Sequence, residues 1–322
     1  MAEYEFVESA PFEAGFAEVY EWQIAPFLRG KEEERQAAIS RSMVWVKLIG
    51  IVSVVLAALA SYYVHPLLGI FPLGFGGGAA LIIYLERGSR ISKDVSGFVR
   101  PILCKFLGNM DLHPQVPADF MPIGRLVALQ ILPKAERIRE DTAITGTWRD
   151  TNYKLLKMSC SESYRDHNDD RKYRTLFAGI VLEIDCPVYM PRTVFVKDFG
   201  ETLNKLYSWA SRNTLPTHRW DLGVEDAEQV FEVYTDDPAQ LGQYLKPQFA
   251  DTLTDIAGRF QGGKDYCAAA FSGRRFYLAL SLPHSFLGFD VAGAPLSEAN
   301  DSIHRALRDL MTPRQIIDAL HA

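Results

Sequence analysis

Two long apolar runs dominate the pattern of hydrophobic and polar positions in the first third of the chain. Residues 43–64 contain one charged side chain, that of Lys47, and residues 66–85 contain none. Each run has the roughly 20 residues that are needed to cross the hydrocarbon core of a membrane. The pattern therefore predicts a transmembrane helical hairpin over residues 43–85, with His65 and Pro66 in its turn. A buried helical hairpin in a soluble core is the alternative interpretation.

Small side chains recur at intervals of four residues within both apolar runs. They are Ser53, Ala57 and Ser61 in the first run, and Gly74 and Gly78 in the second. Because residues four apart share one helix face, this spacing permits close backbone approach between membrane helices. We predict that these residues pack the hairpin together or join hairpins into a homo-oligomer, and the sequence leaves both arrangements open.

The hydrophobic pattern changes after residue 133 to short segments, several of them alternating, that are typical of strands. Strands are predicted at residues 142–150, 152–161, 175–185, 192–198 and 227–235, and a strand hairpin at 265–271 and 274–282. Helices are predicted at residues 200–211, after an N-cap at Asp236 or Asp237, at 247–260, and in the last two segments, where Thr312 is a cap. The expected fold is α+β, with an N-terminal transmembrane helical hairpin and a cytosolic domain that has a mainly antiparallel sheet and flanking helices.

These patterns predict that the chain is divided into four parts. They are a cytosolic N-terminal helical segment (1–42), the transmembrane hairpin (43–85), a juxtamembrane helix and linker (86–133) and a cytosolic α+β domain (134–322). Lysine and arginine lie on both flanks of the hairpin and are absent from its turn. Because cytoplasmic loops are enriched in these residues, we expect a multi-pass protein of the bacterial inner membrane with both termini in the cytoplasm.

Charge and cysteine content narrow the possible functions. A net charge of −6 argues against a nucleic-acid-binding protein. The chain contains no C-x-x-C pair, and we expect its cysteines to be buried free thiols in a reducing compartment. They are Cys104, Cys160, Cys186 and Cys267.

Three short stretches imitate ligand-binding motifs and fail at a decisive position. The glycine run at residues 74–79 lies between apolar segments, without the strand and ribose-binding acid of a dinucleotide site. Residues 258–265 have the spacing of a phosphate-binding loop, but Asp265 stands where serine or threonine would contact magnesium. Residues 166–177 imitate a calcium loop, but Arg171 replaces its glycine and Phe177 its glutamate. We therefore expect no nucleotide, cofactor or metal, and the sequence identifies no catalytic residue.

Several blocks in the second half of the chain are similar to those of one known family. The blocks are residues 141–163, 176–185, 230–249 and 269–280. In their order and spacing the chain resembles the bacterial domain-of-unknown-function family 3137, over roughly residues 40–290. This resemblance implies a two-helix membrane hairpin followed by a cytoplasmic domain, and it implies no catalytic residue.

The sequence favours a membrane-anchored binding or assembly module that contacts the lipid bilayer and a protein partner or a second copy of itself. Trp209, Trp220 and Tyr234 are candidate contact residues, with core packing as the alternative. A second hypothesis is an enzyme acting on a membrane-proximal or lipid-linked substrate, in a pocket formed by His218, Arg219, Asp236 or Asp237. A third is an oligomeric channel or transport-associated subunit. Lys47 could line its pore, but we favour the alternative that this side chain extends from the helix end to the membrane surface. Because no catalytic motif is present, a non-enzymatic role is favoured.

Overall fold

The computed structural model describes residues 4–63, 91–167, 169–197, 216–223, 225–259, 266–282, 284–289 and 295–322. The chain forms two compact units. Unit 1 consists of Met1–Phe106 and Leu287–Leu307, and unit 2 consists of Leu107–Phe286 and Arg308–Ala322. The four-part domain organisation predicted from the sequence stays a prediction.

Unit 1 is helical. A 3-10 turn (Pro11–Glu13), helix α1 (Phe16–Val19) and a π-helical turn (Tyr20–Ile24) lead into the long helix α2 (Ala25–Tyr63). Residues 91–107 form helix α3. The helical hydrogen bonding continues from the π-helical turn into α2, because the N–H of Ala25 donates to the carbonyl oxygen of Tyr20.

The core of unit 1 is built from apolar residues at helical spacing. Fully buried side chains recur every four residues in both partners: Phe16, Tyr20, Ile24 and Leu28 before and within α2, and Val95, Val99 and Leu103 in α3. The rings of Phe27 and Phe98 stack with their centroids 3.9 Å apart. Lys31 Nζ lies 3.1 Å from a carboxylate oxygen of Asp94. The first turns of α2 therefore pack against α3.

The later turns of α2 contain most of the first predicted membrane span. Seven of their large apolar side chains are 49 to 67% exposed: Val44, Leu48, Ile51, Val52, Val54, Val55 and Leu56. Ser53 and Ala57 are buried on a face between them. Within the described part of the chain, no helix combines the length and apolar character that crossing a membrane requires.

The transmembrane hairpin is thus not supported by the described residues. Its second helix, with Gly74 and Gly78, falls outside them, and the side chain of Ser61 is not described. The role of the small residues in helix packing stays a prediction.

Unit 2 contains a sheet of seven strands among its described residues. The strands are β1 (Met110–His113), β2 (Arg137–Trp148), β3 (Thr151–Arg165), β4 (Arg171–Lys197), β5 (His218–Trp220), β6 (Phe231–Thr235) and β7 (Cys267–Ser281). Their order is β1-β2-β3-β4-β6-β5, and β7 also pairs with β4. All these pairings are antiparallel, so the predicted α+β fold with an antiparallel sheet is confirmed.

Strand β4 is the organising element of the sheet. It is 27 residues long, and it pairs with β3 in its first half, with β6 near its end and with β7 in both halves. The prediction of separate strands at residues 175–185 and 192–198 was wrong, because β4 continues through Pro187 and Pro191. The register of β4 with β7 shifts between Asp185 and Thr193. The irregular pairing accommodates prolines, which cannot donate to a regular ladder.

Strand β7 is also continuous, and the predicted hairpin at Ser272-Gly273 was wrong. The strand runs for 15 residues, and Gly273 pairs with Met190. Gly273 has φ of +66°, a conformation that glycine adopts without steric cost. The two strands therefore deviate from regular pairing at the same level and remain paired on either side.

Both faces of the sheet are covered by apolar side chains. One face packs against residues 120–132, which include helix α4 (Ile123–Ala128), and its cluster contains Leu126, Ile131, Leu156, Phe177, Val181 and Tyr277. On the other face, Phe195 and Phe271 pack against Phe249 of helix α7 (Pro247–Arg259), with ring centroids 6.1 and 5.4 Å away from that of Phe249.

The remaining helices explain two further corrections. The predicted strand 227–235 begins as helix α5 (Glu225–Val230), and only its second half, β6, is a strand. Helix α6 (Pro238–Tyr244) begins at the predicted cap, where Asp237 accepts from Gln240 N. The last two predicted helices form one helix, α8 (Asn300–Leu320), with Pro313 inside it. Burial of Ile316 and Ile317 stabilises this helix beyond the proline. The predicted helix 200–211 lies outside the described residues.

Candidate functional site

A cavity of about 270 Å³ opens on unit 2 beside β2, β3, β4 and the segment that follows β7. Its polar lining consists of Arg139, Asp141, Lys157, Ser159, His284 and Ser285. The volume is close to the lower end of the range for small-molecule pockets, about 300–1,000 Å³. The cavity is therefore large enough for a small ligand or for one end of a larger one.

The register of β2 and β3 brings the charged lining residues together. Arg139 lies opposite Ser159, and the pairing shifts between Glu140 and Thr142, which makes Asp141 a β-bulge. A bulge redirects a side chain relative to the regular ladder. Asp141 forms an ion pair with Lys157 across the strands, with the carboxylate oxygen 2.7 Å from Nζ.

A glycine brings β4 and β7 into close contact at the cavity. A Cβ atom at Gly179 would lie 1.9 Å from the carbonyl oxygen of Leu280. Only glycine allows this approach, since any other side chain would overlap the backbone of β7. Just beyond it, the N–H of Leu282 donates to the carbonyl oxygen of Ala178 over 3.4 Å. The chain after β7 is thereby directed along the cavity.

Two hydrogen bonds fix the segment that carries His284 and Ser285. His284 Nε2 lies 2.8 Å from Oδ2 of Asp309, a residue of α8 that is only 3% exposed. Lys157 Nζ donates to Ser285 Oγ over 3.3 Å. These contacts link the segment to α8 and to β3, and they fix one wall of the cavity.

The arrangement favours ligand binding over nucleophilic catalysis. A catalytic serine needs an adjacent base that can accept its proton. The neighbour of Ser285 Oγ is the Lys157 ammonium, which is paired with Asp141 and offers hydrogen-bond donors only. The His284 ring is bonded to Asp309. The two contacts hold Ser285 Oγ towards an ammonium and the His284 ring towards α8.

The residues proposed for an enzymatic pocket lie elsewhere. His218 and Arg219 are on β5, Asp236 follows β6, and Asp237 caps α6. None of them lines this cavity or the smaller one, of about 20 Å³, that is bordered by Cys186. The candidate interface residues Trp220 and Tyr234 are half-buried, and Trp209 lies outside the described residues.

The cysteines and the imitation motifs behave as structural elements. All four cysteines are buried thiols outside any disulfide, as predicted. Burial raises the pKa of Cys160 to about 11 and that of Cys186 to about 12, which disfavours the nucleophilic thiolate. In the imitation calcium loop, Asp166 accepts from the N–H of Asp170 and pairs with Lys172. In the described part of the chain, no cluster of side chains suits a metal ion. Most of the imitation phosphate loop lies outside that part.

Comparison with known proteins identifies a family for the carboxy-terminal part of the chain. Residues 175–322 match the family described as "Protein of unknown function (DUF3137)". These residues belong to that family. The identification made from the sequence is confirmed over this range, which starts in β4 and extends beyond residue 290. The DUF3137 region supplies β4, β7 and the segment with His284, whereas Arg139 and Lys157 precede it.

Other comparisons add little to the DUF3137 assignment. No curated protein matches the chain. A solved structure that it resembles is the crystal structure of the mycobacterial trehalose monomycolate transport factor A, TtfA, at 13% sequence identity. The alignment covers 69% of this chain and 92% of that one, with a TM-score of 0.35. This similarity is too low to support an argument about fold or function.

Proposed function

We propose that the protein is a binding module held at the bacterial cytoplasmic membrane by its apolar segment, residues 43–85, with both termini in the cytoplasm. The observation that carries the proposal is the exposed apolar surface of α2. Seven valine, leucine and isoleucine side chains in the stretch from Val44 to Leu56 are 49 to 67% exposed. Soluble monomers rarely leave so many adjacent large apolar side chains in water.

The free energy at stake supports a lipid environment for this surface. Full burial of a valine, leucine or isoleucine side chain is worth about 1.5–3 kcal/mol, so a half-exposed one leaves roughly 1 kcal/mol unused. Seven such side chains together approach the whole stability of a small domain, about 5–15 kcal/mol. The basic residues on both flanks of the segment favour lipid as the contact, because they suit the cytoplasmic face of a membrane.

Fractionation of cells expressing the full-length chain tests membrane attachment. We expect the protein in the membrane pellet and resistant to extraction at alkaline pH. The double variant I51D/V55D should lower the resistant fraction, because an aspartate at the centre of a membrane helix costs about 2.5–3.5 kcal/mol. V7D is a matched control, since Val7 is 69% exposed and lies outside the apolar segment. Recovery of the unmodified protein in the detergent-free soluble fraction would refute the proposal.

Orientation is tested separately with protease added to intact spheroplasts. With both termini in the cytoplasm, a tag at Ala322 should survive digestion until the membrane is permeabilised. Loss of the tag before permeabilisation would exclude the proposed orientation.

A further inference from the structure

Arg139 differs in its side-chain contacts from the neighbouring cationic residues of the same sheet. The side chains of Arg165, Arg171, Lys172 and Arg174 pair with Asp169, Glu136, Asp166 and Glu162, respectively. The guanidinium of Arg137 lies over the ring of Tyr173, 4.1 Å from its centroid. Within the described residues, Arg139 has neither an ion pair nor a side-chain hydrogen bond. It borders the 270 Å³ cavity, so the unpaired guanidinium lies beside a space that can hold its partner.

Lys157 is placed to share that partner with Arg139. Arg139 lies opposite Ser159, and Lys157 precedes Ser159 by two residues on the same face of β3. Diagonal neighbours of this kind are on the order of 7–8 Å apart, within reach of two long side chains. Lys157 Nζ uses one hydrogen for Asp141 and one for Ser285. An ammonium has three hydrogens, so one donor remains for a ligand.

The type and direction of the donors indicate the chemistry of the ligand. The planar guanidinium donates a fork of two bonds, the ammonium donates one, and the hydroxyls of Ser159 and Ser285 line the same cavity. A carboxylate has two acceptor oxygens and is satisfied by one arginine fork. A phosphoryl group has three tetrahedrally arranged oxygens, and it suits donors that come from separate strands.

We propose that this cavity binds the phosphoryl group of a small phosphate ester or of a lipid headgroup, held by Arg139 and Lys157. The apolar wall, formed by Leu282 and Phe286, is available to the organic part of the ligand to which the phosphoryl group is attached. The Asp141 carboxylate pairs with Lys157 and fixes its direction. This site is independent of membrane attachment, because a soluble phosphate ester is sufficient to occupy it.

Calorimetric titration of the full-length protein in detergent tests the proposal, with inorganic phosphate and glycerol 3-phosphate as probes. We expect saturable binding that weakens about tenfold or more in R139Q, because a charge-assisted contact is lost. R139K should retain an intermediate affinity, since it keeps the charge and loses the fork. R137Q is the matched control, two residues away on the same strand and outside the cavity, and should bind like the unmodified protein.

The outcomes distinguish a phosphoryl group from a carboxylate and a lipid headgroup from a soluble phosphate ester. Acetate should bind more weakly than phosphate, and equal affinity would overturn the phosphoryl assignment. Nanodiscs with and without phosphatidic acid separate a headgroup from a free ester: competition by the acidic lipid for glycerol 3-phosphate identifies a headgroup site, and absence of competition identifies a soluble ligand. If neither phosphate probe binds, or if R137Q and R139Q weaken binding equally, the site does not exist as proposed. R139Q should retain the circular dichroism spectrum of the unmodified protein because Arg139 is exposed.

Discussion

Replacement of Gly179 by alanine should destabilise unit 2 strongly, because a Cβ atom at this position of β4 would overlap the backbone of β7. The added Cβ would be 1.9 Å from the carbonyl oxygen of Leu280, 2.8 Å from its carbonyl carbon and 2.9 Å from Cα of Ser281. All three atoms belong to the backbone, so no side-chain rotation relieves the overlap. The strands themselves must move apart.

The size of the effect follows from the required displacement. Ordinary contact of a Cβ with its neighbours begins near 3.4 Å, so the strands must separate locally by about 1.5 Å. Neighbouring strands are about 4.8 Å apart, and ladder bonds do not survive an increase of one third. Loss of about two backbone hydrogen bonds at about 1 kcal/mol each, with an overpacking cost of about 1–3 kcal/mol, gives a destabilisation of about 3–5 kcal/mol.

Urea unfolding followed by far-ultraviolet circular dichroism measures this change. The control is the same substitution at Gly258, in α7, where an added Cβ meets nothing within 4 Å among the described residues. G258A should raise the free energy of unfolding by about 0.5–1 kcal/mol because alanine is the better helix former. If G179A changes the free energy of unfolding by less than about 1 kcal/mol, the close contact between β4 and β7 is not as described.

Three further substitutions test other contacts. A hydrogen bond from Arg35 lowers the pKa of Glu32 from 4.5 to about 2. The stability that this shift contributes is present above pH 4.5 and is lost as the pH falls through about 2. In a series of thermal melts, E32Q should therefore cost about 2–3 kcal/mol at pH 7 and nothing at the acid end. D237A should cost about 1 kcal/mol in urea unfolding through loss of the bond from Gln240 N to the cap, and D237S should restore most of it. R314K should lower the free energy of unfolding by about 2 kcal/mol in the same assay. Arg314 donates to the carbonyl oxygens of Leu107 and Gly108, and its guanidinium lies 4.4 Å from the ring centre of Trp148. An unchanged unfolding midpoint would show that these contacts contribute nothing.

The sequence pattern predicted where the strands and helices of unit 2 lie better than it predicted where each of them ends. Alternating apolar residues identified the positions of β2, β3 and β4, and the Asp-Pro pair identified the start of α6. Breaks were predicted at Pro187, Gly273 and Pro313, where the chain in fact continues as one strand or one helix. Proline and glycine interrupt an isolated segment, but here pairing with a neighbour or burial against the sheet holds the segment together.

The candidate site could not be predicted from the sequence, because it too depends on strand pairing. Its cationic residues, Arg139 and Lys157, are 18 positions apart in sequence, and only the register of β2 with β3 makes them neighbours. The bulge at Asp141 shifts that register by one residue, and no local signal marks it. Charged and polar residues alternate at Arg137, Arg139 and Asp141 and at Lys157, Ser159 and Ser161, but this alternation identifies a site only once the pairing of β2 with β3 is known.

The length and position of β4 have a consequence for biosynthesis. Residues of β7 lie 72 to 102 positions downstream of the β4 residues with which they pair, from Val196–Ala268 to Gly179–Ser281, so this pairing cannot be completed until translation has passed Ser281. Loop-closure entropy makes such long-range pairing slow, and an unpaired strand edge attracts other chains in the meantime. A ribosome stalled after β4 has left the exit tunnel, but before β7 has done so, would therefore display an unpaired edge of β4. We expect trigger-factor-like chaperones to crosslink to β4 at these chain lengths and to release it once β7 has emerged.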